Sequence, residues 1–183
     1  MIATFSALLL AHVLADFPLQ SDRMVASKGE LRGLAAHGAV VLGCLVLTTG
    51  GITLSLVLLT FAHLGIDLVK QGSGRRGLAA FALDQAAHLA SLAALAAAEP
   101  HLLATHLWAA SPALPALMLI LAGAIAATSA GGHAIALLIA PWAKSVTPGL
   151  SGAGRMIGLL ERGLIYLLIL LGLPEGVGFL IAA

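Results

Sequence analysis

Apolar residues run along this chain in long blocks, separated by short stretches of glycine, proline and charge. The blocks lie near residues 2–20, 34–49, 52–70, 78–98, 114–140 and 156–172, with a further apolar piece at 174–183. A bilayer core needs about 20 helical residues to be crossed. The pattern therefore predicts an all-α, polytopic transmembrane helix bundle of about six spans, a single transmembrane domain over residues 1–183. The fifth block is too long for one upright helix, and Gly131-Gly132 is expected to break or bend it. The last piece is too short to span at 1.5 Å per residue and reads as a re-entrant half-helix.

Composition sharpens this reading. Hydrophobic residues make up 60% of the 183 and charged residues 9%, whereas soluble domains carry about a quarter charged residues. Lipid is the solvent that suits such a chain. Net charge is +1 and there is no basic run to grip phosphates, so nucleic acid is not an expected partner. One cysteine, Cys44, excludes a disulfide framework and a cysteine-rich metal site. The first apolar run lacks a basic leader and contains His12 and Asp16, so it reads as a retained helix. Basic residues fall in alternate loops: Arg23, Lys28 and Arg32, then Lys70, Arg75 and Arg76, then Lys144 and Arg155. By the positive-inside rule these loops are cytoplasmic and the N-terminus lies outside. Trp108 and Trp142 are expected at the two interfaces.

The chain also repeats. AHVLADFPLQ at 11–20 aligns with AHLGIDLVKQ at 62–71, an offset of 51 that also relates His37 to His88. Two helix hairpins, 2–49 and 52–98, are thus expected to be related by an axis along the membrane normal, with C-terminal helices over 114–183 following. Transporters place sites at such repeat interfaces.

Residues four apart share a helix face. That pairs His12 with Asp16, His63 with Asp67, and Asp84 with His88, each aspartate nearer the cytoplasm. His37 and His133 are expected at similar depth. An aspartate inside a span costs about 2.5–3.5 kcal/mol on insertion scales, and such residues are paired, inward-facing and functional as a rule. Three carboxylates with few basic neighbours call for protons or a bound cation. One buried His–Asp pair is commonly a structural hydrogen bond; three at one depth in a repeat argue for a site. Lys28 and Lys70 also read as interfacial anchors, and Glu161 with Arg162 as an internal ion pair.

The segments AH, AD-F-LQ, HLGIDLVK, F-LDQAAH and IGLLERGLI together resemble a bacterial family of small polytopic inner-membrane proteins known as a domain of unknown function. The resemblance runs over nearly the whole chain. It implies a multi-pass protein of the bacterial cytoplasmic membrane, with His12, Asp16, His63, Asp67, Lys70, Asp84, Gln85, His88, Glu161 and Arg162 at motif positions. It implies no activity.

The residues lead to a membrane-embedded, metal-dependent enzyme, a hydrolase, with its site open to the cytoplasm. Imidazole and carboxylate suit a divalent metal such as zinc, with His12, Asp16, His63, Asp67 and His88 as ligands and His37 and His133 as extra ligands. There are groups enough for two metals. Asp84 and Glu161 are the catalytic residues, Asp84 serving as ligand or base. Lys28, Lys70, Gln85 and Arg162 are the substrate-binding residues for a lipid-like or amphiphilic molecule. Membrane lipid is the expected surround, and a homo-oligomer is possible in principle. The alternative is a divalent-cation or proton transporter or channel; against it, the outer halves of the spans hold few polar residues. A b-type haem protein using two of the repeated histidines is a third reading, which the neighbouring aspartates disfavour.

Overall fold

Proline at position 18 ends the first helix early, because it has no N–H to donate to the carbonyl four residues back. The helix α1 accordingly runs Ile2–Asp16, not to residue 20, and at about 22 Å it is shorter than the full core of a bilayer. The computed structural model describes residues 1–27, 29–142 and 152–182. After α1 come α2 (Asp22–Ser27), α3 (Leu31–Thr49), α4 (Leu54–Gly72) and α5 (Leu78–Ala98). A 3-10 turn at Leu102–Thr105 leads to α6 (Leu114–Ile125), a π-helical turn (Ala126–Ala130), α7 (Gly131–Ile139), α8 (Ala153–Leu170) and α9 (Pro174–Ala182). No strand occurs among the described residues, and the chain is an all-α bundle. Four stretches are long and apolar enough to cross a membrane: Leu31–Thr49, Leu54–Gly72, Leu78–Ala98 and Leu114–Ile139.

The described residues group into two compact units, Met1–Ala122 and Gly123–Ala183. In the first, α1 packs on α3 and α5, α3 on α4, and α4 on α5, which closes a ring of four helices. Ala7, Ala11 and Ala15 recur every fourth residue on α1 and are fully enclosed, so neighbouring backbones can approach closely. Leu8, Val41, Leu45, Leu56, Leu59 and Leu92 fill the centre. Outward-facing positions are apolar as well: Leu47, Leu54, Leu58, Phe61 and Leu83 are each more than half exposed. An exterior this apolar is unlike that of a water-soluble bundle and matches a lipid surround.

One end of this ring is polar only at the backbone's expense. The buried hydroxyls of Thr48, Thr49 and Thr60 donate to carbonyls one turn back, those of Cys44, Leu45 and Leu56. Thr4 donates to the Glu99 and Pro100 carbonyls across the bundle. Gly50, at φ 78°, caps α3 in the left-handed region that glycine adopts without cost. A Cβ there would also meet the Trp108 ring at 2.7 Å, and Trp108 donates its indole hydrogen to the Leu47 carbonyl at 2.9 Å. Trp108 therefore ties the α3 terminus to the 99–113 connection, in addition to any place at an interface.

The second unit corrects two expectations. Gly131 and Gly132 stay helical; the irregularity in the long run is the π turn that precedes them. A π turn leaves carbonyls without their usual partner, and Arg162 donates Nε–H to the Thr128 carbonyl at 3.2 Å. The two glycines make room for that arginine, since a Cβ on Gly132 would lie 2.7 Å from its guanidinium. Glu161, exposed on α8, forms no ion pair with Arg162 among the described residues, because adjacent helical positions point about 100° apart. The terminal piece forms α9, nine residues long and packed on α8.

Candidate metal centre

The i,i+4 pattern of α1 and α4 places His12 over Asp16 and His63 over Asp67, and all four face the interior of the ring. Glycine starts the same job on α3. Gly33 and Gly38 let α2 and α4 lie close, so His37 between them is pressed wholly inside at 0% exposure. On α5, Asp84 and His88 are buried one turn apart. The four imidazoles form one cluster: ring centroids are 5.1 Å apart for His37–His63, 4.2 Å for His63–His88, 5.0 Å for His12–His88 and 5.6 Å for His12–His63.

The tightest convergence is of four atoms from three helices. His37 Nε2 lies 3.1 Å from His63 Nε2, 3.4 Å from Asp16 Oδ1 and 3.2 Å from Asp67 Oδ2. His63 Nε2 lies 3.2 Å from the same Asp16 oxygen and 3.8 Å from the same Asp67 oxygen. Both carboxylate oxygens thus lie 3.2–3.8 Å from the two imidazole nitrogens, which are themselves 3.1 Å apart. Ligands of one tetrahedral zinc ion at 2.0–2.2 Å would lie about 3.3–3.6 Å from one another. Two carboxylates there also carry the charge that one divalent ion balances. Gln20 brings its amide nitrogen, a donor, to 3.3 Å from His37 Nδ1 and 3.4 Å from His37 Nε2.

Asp84 has a different setting. Lys70 donates to its Oδ2 at 2.7 Å, and Gln85 Nε2 donates to the same oxygen at 3.3 Å. The Gln85 carbonyl faces His12 Nε2 at 3.3 Å, so Gln85 bridges a histidine and an aspartate. Apart from Asp16 Oδ1, which faces the His37 and His63 nitrogens, three buried side-chain atoms have no hydrogen-bond partner among the described residues: His12 Nδ1, Asp84 Oδ1 and His88 Nε2. A buried polar atom left without a partner costs about 1–3 kcal/mol, so three in one cluster need an explanation, and a cation is one. Three residue groups have geometry that can hold a metal ion: His12, Asp16 and His63; His37, His63 and Asp67; Asp67, Asp84 and His88.

The structure thus brings together His12, Asp16, His63, Asp67, His88, Asp84, Gln85 and Lys70, with His37 at the centre rather than the margin. What hid His37 is that no acid lies four residues away on its own helix; its carboxylates come from α1 and α4. Lys28 and Lys144 lie outside the described residues. His133, Glu161 and Arg162 belong to the second unit, where Arg162 serves the π turn. Beside the cluster a groove of about 170 Å³ opens between α4 and α5, lined by Lys70, Arg75, Asp84 and apolar side chains. Asp84 is the residue that the groove shares with the cluster.

A family model described as "Protein of unknown function (DUF3307)" matches residues 4–122, the stretch that contains the whole cluster. No curated protein and no solved structure matches the chain.

Proposed function

The chain belongs to this DUF3307 family, and from its own polar core we propose that it is a membrane-embedded, metal-dependent hydrolase of the bacterial cytoplasmic membrane. The observation that carries the reading is the buried convergence of His37 Nε2, His63 Nε2, Asp16 Oδ1 and Asp67 Oδ2, with both carboxylates within 3.2–3.8 Å of the two imidazole nitrogens. Mixed nitrogen and oxygen donors suit zinc and its first-row neighbours. A divalent ion held there supplies an activated water and polarises a carbonyl or phosphoryl oxygen.

The chain's own residues supply access and charge. The groove between α4 and α5 presents Lys70 and Arg75 above an apolar wall, a combination that fits the anionic head of an amphiphile. Asp84 stands between groove and cluster, as base or as a further ligand. The bond between the head group and its leaving oxygen or nitrogen is cleaved, water's oxygen joins the carbonyl or phosphoryl centre, and a proton passes to the leaving group. The basic residues of the loops put the groove on the cytoplasmic side.

The test is hydrolysis of a panel of amphiphilic carboxyl esters and phosphoesters by purified protein with Zn2+ or Mn2+, with and without chelator. Turnover is expected to vanish with chelator and in His63→Ala. Metal-loaded protein that cleaves nothing, yet carries Zn2+ into sealed vesicles, would replace this reading with transport. The outer-end hydroxyls, which already donate to backbone carbonyls, argue against a continuous polar path.

A further inference from the structure

Asp16 Oδ1 of the first set faces the His37 and His63 nitrogens. Three other buried atoms, His12 Nδ1, Asp84 Oδ1 and His88 Nε2, have no hydrogen-bond partner among the described residues. His88 is 1% exposed and its Nδ1–H donates to the Asp84 carbonyl at 2.9 Å. That bond fixes the tautomer: Nε2 carries a lone pair, buried, with no donor near it. Metal-binding histidines are held in this way, one ring nitrogen donating to a carbonyl and the other bare. His12 repeats the arrangement in mirror form, Nε2–H facing the Gln85 carbonyl at 3.3 Å and Nδ1 left without a partner.

We propose a second divalent-metal site formed by His88 Nε2, Asp84 Oδ1 and Asp67, next to the first and sharing Asp67 with it. The proposal rests on the first site, and deepens it into a two-metal centre. Ligand atoms of Asp67, Asp84 and His88 lie within 4.8 Å of one another, close enough for one ion. Asp67 also belongs to the group with His37 and His63, so its carboxylate is the bridge. Bridged metals of this kind sit about 3.5–4 Å apart and clamp both the attacking and leaving oxygens of a phosphoester. Charge points to the same substrate class. Two divalent ions and Lys70 exceed three aspartates in charge, and an anionic phosphoester with hydroxide offsets the excess.

Lys70 already neutralises Asp84 at 2.7 Å, so the second ion binds more weakly than the first. Zn2+ binding to the purified full chain in detergent, by equilibrium dialysis, reads both sites. Wild type is expected to take two equivalents, the second weaker. His88→Ala and Asp84→Asn should each take one, and His63→Ala should lose the tight equivalent. Lys70→Gln should tighten the second equivalent roughly tenfold by removing a competing cation. Wild type taking one equivalent that His63→Ala abolishes would overturn the second site and leave the first. Two equivalents retained in both His88→Ala and Asp84→Asn would also overturn it, as would a Lys70→Gln second equivalent no tighter than wild type. No Zn2+ bound by wild type would overturn both sites.

Discussion

His37 and His63 meet nitrogen to nitrogen at 3.1 Å, with Asp16 and Asp67 closing on the same two atoms. Two neutral imidazoles so placed can share one proton, and each remaining lone pair or hydrogen must then answer to a carboxylate. A metal ion held among these atoms would resolve that competition. His37→Ala is therefore expected to weaken Zn2+ binding as severely as His63→Ala, by about a hundredfold or more. Competition against a chromophoric chelator measures it, and a His37→Ala protein with wild-type affinity would remove this histidine from the centre.

Acidification should empty the site. Imidazole binds a metal only when neutral, so bound Zn2+ should fall as the pH is lowered, with proton uptake accompanying release. Metal lost on acidification without proton uptake would remove the imidazoles from the site.

Much of this was legible in advance, for reasons that are local. The three His–Asp pairs announce themselves because four-residue spacing is a property of one helix, and the offset of 51 showed which positions correspond. The correspondence has a geometric echo: His37–His63 at 5.1 Å maps onto His88–His12 at 5.0 Å. What stayed hidden depends on neighbours. The central place of His37 comes from acids on other helices, and the bond of Lys70 to Asp84 from a rotamer that could equally have reached water. The π turn at Ala126–Ala130 has no sequence signature comparable to the Gly131-Gly132 pair that drew attention instead.

The repeat breaks where Asp84 sits, because the matching position is Gly33. A Cβ there would collide with the Ser27 carbonyl oxygen, a backbone atom that cannot swing aside. Gly33→Ala should therefore displace α2 from α3 and destabilise the protein by about 1–3 kcal/mol. Thermal unfolding in detergent would show it. Gly43→Ala is the control, since nothing lies within 4 Å of a Cβ at that position; equal melting of the two variants would count against the close approach.

Lys70 and Asp84 should behave as a unit. Lys70 is about a third exposed while Asp84 is buried, so losing the lysine strands a carboxylate that water reaches poorly. Lys70→Met is expected to cost on the order of 1–3 kcal/mol, the range for a hydrogen bond to a charged group. Adding Asp84→Asn should restore part of that loss, because the double variant leaves no unpaired charge. Strictly additive losses would mean that the pair contributes little.

The orientation of the bundle decides which compartment supplies the substrate. Ser73 lies at the end of α4 beside the groove, and Thr105 in the connection at the other end of the ring; both neighbourhoods are solvent-exposed. The basic residues Arg75 and Arg76 follow Ser73, whereas residues 99–113 contain no lysine or arginine. Positive charge is retained on the cytoplasmic side, so a cysteine at Ser73 should resist an impermeant thiol reagent in intact cells and react once the membrane is opened. A cysteine at Thr105 should react in both cases. Cys44 is buried and adds little background, and Cys44→Ala removes it. The opposite labelling would turn the groove outward and overturn the cytoplasmic placement.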